Sequence, residues 1–434
     1  MTTDLPRAVE TVVVGAGHAG LTMSYLLCEA GREHVVLERR ETLGGGWQDR
    51  WDGFQLVSPN WTTGLPGFDY DGDDPDGFMP RDAIVDRMRR YAEVIGAPVR
   101  LGTTVRRLGT LDGGASRFRL ETDAGTIAAR DVVIATGSFH GPRLPSASAE
   151  IASRVKQVHS HEYRRPSDLP PGRVLVVGTG QTGVQLTEEM RAAGREVILS
   201  VGHCGRVPRH YRGHDTFWWL RRLAEESAAG RPGLPSVEQL PDPRARSACN
   251  PHLSGHDGGH DTDLRRFAAS GVRLVGRLVG ADGERVRFAP GLEENLRFAD
   301  TFFDERFRPG CEALAERMGL DLPPDDREPF AFTVSEVAEL DLAAEGVSSV
   351  LWTSGYAREY GWIDLPIVDE AGFPRTTRGV TEVPGLSFIG SLWQFNLASA
   401  NLVGVALDAR HLAEQWEARA PVSRRSSPRA SRPD

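Results

Sequence analysis

Two glycine-rich turns and the residues just beyond them carry the clearest chemistry in the chain. Gly15-Ala16-Gly17-His18-Ala19-Gly20 supplies the pattern GxGxxG directly after the apolar run Thr11 to Val14. Gly15 permits a tight turn, Gly17 lets a pyrophosphate approach the backbone, and Gly20 lets the following helix pack closely on the strand. The start of that helix then aims its free amides at the phosphates. Glu38 ends the next apolar run, with Arg39 beside it. A carboxylate there accepts both hydroxyls of a ribose and repels a 2′-phosphate. His18 and Ala19 fill variable positions of the turn, beside the cofactor and without a chemical role.

Gly178-Thr179-Gly180-Gln181-Thr182-Gly183 repeats the fingerprint after Val174 to Val177, but the strand that follows ends in Leu199-Ser200. Ser200 therefore stands where the acid would be, and a phosphorylated ribose is not repelled. Arg206 and Arg209 come shortly after, and guanidinium groups match the geometry of a phosphate. The second site is expected to prefer NADPH over NADH, with Arg206 ahead of Arg209 as the phosphate ligand.

These turns need strands and helices to hold them. Thr11–Val14, a helix over Leu21–Ala30 and a strand at His34–Glu38 form a βαβ opening. A helix over about Arg81–Ile95 and a strand-rich stretch from Val99 to Ile127 follow, and Asp131–Ala135 ends in Thr136-Gly137. After a polar, Pro-rich hinge, Arg173–Val177, a helix over Thr182–Ala193 and a strand at Glu196–Val201 restart the same order. A final amphipathic helix is expected over Leu402–Ala418. The reading is an α/β protein with two Rossmann-like dinucleotide-binding domains, the first of them discontinuous. Residues 1–164 and 332–418 form the FAD-binding domain, 165–331 the NADPH-binding domain with an insertion from Tyr211 to Arg265, and 419–434 a disordered tail.

Composition sets limits around that reading. The 51 basic and 60 acidic residues give a net charge of −9, with no basic block outside the Arg-rich tail, which argues against nucleic acid as the partner. No apolar run approaches the roughly 20 residues of a membrane span. The first strand starts too early to follow a cleaved leader, so a cytoplasmic protein is expected. Cys28, Cys204, Cys249 and Cys311 lie far apart without a CxxC pair and read as thiols rather than a disulfide framework or a zinc site. The run His256-Asp257-Gly258-Gly259-His260-Asp261 holds metal-ligand types, but two glycines leave no fixed geometry, so no metal site is expected and a polar loop at the active-site mouth is the better reading. Phe217-Trp218-Trp219 lies at a helix start, where aromatics more often join a core than wall a cavity.

Gly44-Gly45-Gly46-Trp47 after Glu38 resembles the GGxW segment of the class B flavoprotein monooxygenases, the flavin-containing monooxygenase superfamily. The likeness extends to Ala135-Thr136-Gly137, to His159-Ser160 with Tyr163, to Thr353-Ser354-Gly355-Tyr356, and to Phe388-Ile389-Gly390 followed by Leu402-Val403-Gly404. The chain departs from the family's FxGxxxH signature, which would need Phe and Gly at Ser153 and Val155 and keeps only His159. Among relatives it is most similar to compact bacterial members.

The resemblance implies FAD in the first unit and NADPH in the second, with Gly46, Trp47, Thr136, Gly137, Ser354 and Gly355 along the cofactors. It implies that NADPH reduces FAD, that dioxygen adds to form a flavin hydroperoxide, and that a small organic substrate takes one oxygen. Oxygen transfer to nitrogen or sulfur is favoured over Baeyer–Villiger insertion. Asn60 lies where the family places the amide that holds the nicotinamide, and Asn401 and Leu402, at the start of the last helix, border the flavin. Two other readings stay open: an NADPH-dependent flavin reductase passing electrons to a quinone-type acceptor, and a non-catalytic flavoprotein that senses redox state.

Overall fold

The computed structural model describes residues 5–419 apart from 112, 113, 115 and 249. Uninterrupted Val and Ile runs, the mark of strands covered on both faces, seed two parallel sheets. The first is built around Ala8–Val14, flanked by His34–Leu37 and by Gly125–Ile134. Its parallel registers pair Val12 with Val35 and with Val132. Val99–Arg100 extends one edge, Phe118–Thr122 and Val105–Thr110 extend the other in antiparallel fashion, and Leu386–Phe388 returns from the far end of the chain to pair with Val132–Ile134. This last pairing makes the first unit discontinuous.

The second sheet centres on Arg173–Val177, with Val197–Ser200 and Arg273–Val275 on one side and Val347–Trp352 then Lys156–His159 on the other. Both flanking segments correct the boundaries expected from sequence. Lys156–His159 precedes residue 165 and Val347–Trp352 follows residue 331, yet both belong to the second sheet, because Val347–Trp352 hydrogen-bonds the open edge of Arg173–Val177 and Lys156–His159 in turn pairs with Val347–Trp352. We infer that the chain crosses between units at the two-stranded ladder of Gly141–Pro142 with Tyr356–Ala357. The expected tail falls outside the described residues except for Arg419, which ends the helix Val405–Arg419.

Each sheet carries its first helix at the predicted place, His18–Glu29 and Gln181–Ala192. The insertion folds into a helix, Thr216–Ala228, capped by the Asp215 carboxylate on the Phe217 amide. Trp219 is fully buried and donates from Nε1 to the Tyr211 carbonyl at 3.0 Å. It shares one apolar cluster with Phe303 and Phe307 of the later helices and with Ala398, against which Leu397 and Val403 also pack. The insertion thus closes over the segment that leads into the last helix. No helix among the described residues is long and apolar enough to cross a membrane.

The turn glycines separate packing from ligand space. A Cβ on Gly20 would lie 1.9 Å from the Gly15 carbonyl oxygen, while a Cβ on Gly17 would meet nothing within 4 Å. Gly20→Ala is therefore expected to lower the stability of the cofactor-free chain by at least ~1–3 kcal/mol through overpacking. Gly17→Ala should melt like wild type without cofactor and bind dinucleotide more weakly. Thermal denaturation and cofactor titration of the two variants check this, and equal melting temperatures would contradict the division.

Candidate active site

Ligands of open parallel sheets lie beyond the carboxyl ends of the strands, and the glycine turns occupy those ends in both units. In the first, Gly15 adopts φ +106° and its Cβ would lie 2.6 Å from the Ala135 carbonyl, so only glycine fits. Gly45 lies across Gly17, at 3.1 Å from its Cα by the same measure, and Gly46 faces open space. Trp47 packs its ring 5.2 Å from that of His18. Glu38 is buried, and its two oxygens accept from the amides of Ala16 (2.9 Å) and Arg40 (3.0 Å). Those bonds fix the carboxylate at the end of its strand with lone pairs still free for two hydroxyls. Arg39 is exposed, whereas Arg40 is held by Asp49.

At the neighbouring strand end, Gly137 has φ +72° and open space before it. His140 accepts from the Glu359 amide at Nδ1 (2.8 Å), which leaves Nε2 to donate to the Gly137 carbonyl at 3.0 Å, and Thr136 lies 3.2 Å from the same nitrogen. Burial lowers the His140 pKa. The open faces of Gly17, Gly46 and Gly137, together with the anchored Glu38, suit a dinucleotide with an unphosphorylated ribose, as FAD has.

The second unit repeats the geometry. Gly178 has φ +111°, and a Cβ on Gly183 would sit 2.0 Å from the Gly178 carbonyl. Gly180 caps the helix, Thr182 lies in its first turn, and Gln181 clamps the Leu253 backbone at both its amide and its carbonyl. The hydroxyl of Thr179 accepts from the Gly202 amide at 3.0 Å. Thr353 donates to the Val177 carbonyl at 2.8 Å, Ser354 bonds the Arg143 carbonyl, and Gly355, at φ +82°, has open space before it and accepts from His159 Nε2 at 3.0 Å.

Three residues expected at the NADPH ribose have other partners. Ser200 is buried, donating to the Gly276 carbonyl (3.0 Å) and accepting from the Leu278 amide (3.1 Å). Arg206 is ion-paired to Asp263 (3.3 Å) and Asp300 (3.1 Å). Arg209 is buried, paired to Asp215 at 3.0 Å and donating to the carbonyls of Val57 and Ser254 at 2.8 Å each. Neither guanidinium presents a free edge to a phosphate, which corrects the sequence assignment. Sequence order showed cations after the strand but not the acids that the insertion folds onto them. His203, which that reasoning passed over, is exposed just past the strand and stacks on Phe298 at 3.6 Å.

Asn60 is buried. Its Nδ2 donates to the Asp74 carbonyl at 2.9 Å, and its Oδ1 is enclosed without a partner. The Asp74 carbonyl settles which end of the amide points where, so Asn60 offers an acceptor. Trp61 beside it lies under the Arg221 guanidinium of the insertion helix (5.8 Å). Asn401 donates to the Leu397 carbonyl at 3.1 Å, and its own carbonyl accepts from Gly404 and Val405, while Leu402 is buried.

The loop Ser254–Asp261 packs against the first unit, where Gly255 lies on the Leu56 carbonyl and Gly259 on the Phe78 ring. Among the described residues Cys28 and Cys311 are free; Cys249 lies outside the described residues. A surface hollow of about 700 Å³ between Pro166 and Gly346 lies at the amino ends of the second sheet's strands, opposite the glycine turns.

The chain is similar to known proteins in sequence and in fold. Residues 12–225 match the family model described as pyridine nucleotide-disulphide oxidoreductase. The chain is 30% identical over 411 residues to the uncharacterized oxidoreductase CzcO-like of Geobacillus kaustophilus, covering 94% of this chain and 98% of that one. It is 30% identical over 301 residues to indole-3-pyruvate monooxygenase YUCCA1 of Oryza sativa subsp. japonica, covering 66% of this chain and 74% of the relative. A solved flavin-containing monooxygenase from Stenotrophomonas maltophilia shares the fold with a TM-score of 0.64 at 19% identity, over 95% of this chain and 99% of that one.

Where the units meet, Gln185 donates to the Gln55 carbonyl at 3.2 Å, and Glu189 accepts from the Tyr163 hydroxyl at 3.0 Å. Burial pushes the Glu189 carboxyl up to about 7, with Asp52 adding repulsion against the bond from Tyr163. A carboxyl raised in the folded state gives stability that is complete below its ordinary range and lost as pH rises through about 7. Glu189→Gln should therefore match wild type at pH 5 and be more stable at pH 8, by about 2 kcal/mol after allowance for partial exposure. Melting curves at the two pH values check this, and a variant less stable than wild type at pH 8 would refute the assignment.

Proposed function

The chain belongs to the class B flavoprotein monooxygenases, with FAD and NADPH as cofactors, and on that premise we propose that it transfers one oxygen atom from dioxygen to a nitrogen or sulfur of a small organic molecule. The redox chemistry is supplied by FAD when bound. The protein's part is to bind, orient and exclude water. Glu38 holds the ribose of the first dinucleotide, the amide ends of the helices starting at His18 and Gln181 receive the two pyrophosphates, and the insertion closes over the segment before the last helix.

The observation that carries the choice of substrate atom is the orientation of Asn60. Insertion next to a carbonyl builds negative charge on the carbonyl oxygen, which needs hydrogen-bond donors. Asn60 has one Nδ2 hydrogen bound to the Asp74 carbonyl and its Oδ1 enclosed, so its amide is held by the protein and is not aimed as a pair of donors at such an oxyanion. A neutral amine or sulfide attacks with its own lone pair and needs no oxyanion site.

The test uses full-length enzyme loaded with FAD, NADPH and oxygen-18 dioxygen, with methyl phenyl sulfide, N,N-dimethylaniline and cyclohexanone as probes. One labelled oxygen should appear in the sulfoxide or the N-oxide, at least about tenfold faster than in the lactone. Asn60→Ala should reduce product formed per NADPH consumed more than it slows NADPH consumption. Rapid NADPH-dependent reduction of an added quinone, with no label in any probe, would replace this reading by a reductase.

A further inference from the structure

The insertion reaches into the second phosphate turn through one imidazole. His252 is fully buried, and its backbone amide donates to the Gly205 carbonyl at 3.0 Å. Its Nε2 is hydrogen-bonded to the Thr179 carbonyl, and Nδ1 is enclosed without a protein partner. The next residue, Leu253, is held at its carbonyl and at its amide by the Gln181 side chain. The insertion is thus bonded to the turn on both sides of Gly180.

Peptide geometry gives the His252 bond a consequence beyond packing. A carbonyl only accepts, so Nε2 carries the proton, and burial, which lowers the ring's pKa to about 4, keeps the ring neutral at pH 7. A trans peptide points its C=O and its N–H in opposite directions, and none of the described peptides is cis. With the Thr179 oxygen turned onto His252, the N–H of the same peptide, that of Gly180, points away from the insertion. Among the described residues no acceptor takes that N–H. Gly180 caps the helix Gln181–Ala192, whose start is where a pyrophosphate binds. We propose that His252 is a positioning residue for the nicotinamide dinucleotide, holding the Thr179–Gly180 peptide with its N–H toward the pyrophosphate. Without the donor, the buried Thr179 oxygen is left unpaired. Rotation of the peptide relieves that cost and takes the Gly180 N–H off the phosphate. The inference rests on the second turn as the NADPH site and is independent of which substrate atom is oxygenated.

The test is calorimetric titration of FAD-loaded, full-length protein with NADP⁺ and with adenosine 2′-monophosphate, which lacks the pyrophosphate. His252→Leu removes the donor. It should bind NADP⁺ about tenfold more weakly, the effect of one lost hydrogen bond to a charged group, and bind adenosine 2′-monophosphate like wild type. His252→Gln, whose amide nitrogen reaches the Nε2 position, should recover most of the NADP⁺ affinity. A second measurement uses wild type labelled with nitrogen-15 histidine, in which the His252 ring N–H is identified by its loss in either variant. That signal should shift when NADP⁺ binds and stay in place with adenosine 2′-monophosphate, because a peptide that donates to an anion becomes a stronger acceptor at its oxygen. Unchanged NADP⁺ affinity in His252→Leu, an equal loss for both ligands, a His252→Gln protein no better than His252→Leu, or an unmoved ring signal would overturn the proposal. A wild type that takes up no NADP⁺ would instead remove the cofactor assignment on which it rests. If His252→Leu does not fold, the His252→Gln titration and the ring signal decide alone.

Discussion

Both nucleotide units hang on one contact, a helix backbone pressed against the carbonyl of the turn that precedes it. In the first unit Gly20 lies on the Gly15 oxygen, and in the second Gly183 lies on the Gly178 oxygen, so close that a single methyl group would fall within about 2 Å of it. That approach brings the start of each helix level with the strand ends, where its free amides meet phosphate. The neighbouring strand end is drawn into the same contact. Ala135 in one unit and Thr353 in the other lie against the turn glycine, and the segments after them, Gly137 and Gly355, keep open space ahead. Remove the contact and the phosphate amides, the ribose acid and the crossing strands lose their common reference.

Joining the units is a separate problem with a polar solution. Arg209 reaches from the second unit to the Val57 carbonyl, Gln185 to the Gln55 carbonyl, and Asp52 donates its amide to the Arg164 carbonyl at 2.9 Å. The segment from Trp51 to Val57 is thus sewn along the second unit's first helix by backbone groups. Such groups are costly to leave unpaired when buried, so they fix the orientation of a seam that also carries a shared apolar core, with Trp51, Phe54 and Leu56 in one cluster with Val184 and Leu186. Two half-buried acids on that helix, Glu188 and Glu189, both have pKa values raised by burial, and Glu188 accepts from the Ser254 hydroxyl at 2.8 Å.

Much of this was legible in the sequence because the signals were local. Strand, turn and helix follow each other within some 25 residues at Thr11 and again at Arg173, and each step has its own period or glycine. Glu38 and the first turn's glycines could be singled out for the same reason, since all fall within one strand, turn, helix and strand sequence. What could not be read depends on long-range pairing. Val347–Trp352 looks like any buried strand, and nothing local tells which of two similar sheets will take it. Arg206 and Arg209 are cations by type, and only the folded chain brings Asp215 and Asp263 of the insertion, and Asp300 from beyond it, onto them. Asn60 could be singled out as an amide, but its use as an acceptor is decided by the Asp74 carbonyl, 14 residues away.

The central claim is that two dinucleotides lie on two equivalent turns, FAD on the first and NADPH on the second, facing one cleft. A crystal structure of the full chain grown with FAD and NADP⁺ tests it most directly. The account predicts the FAD pyrophosphate over Gly17 with its adenosine ribose on Glu38, and the NADP⁺ pyrophosphate over Gly180 with the nicotinamide directed toward Asn60. A single bound dinucleotide, or NADP⁺ seated on Glu38, would contradict it.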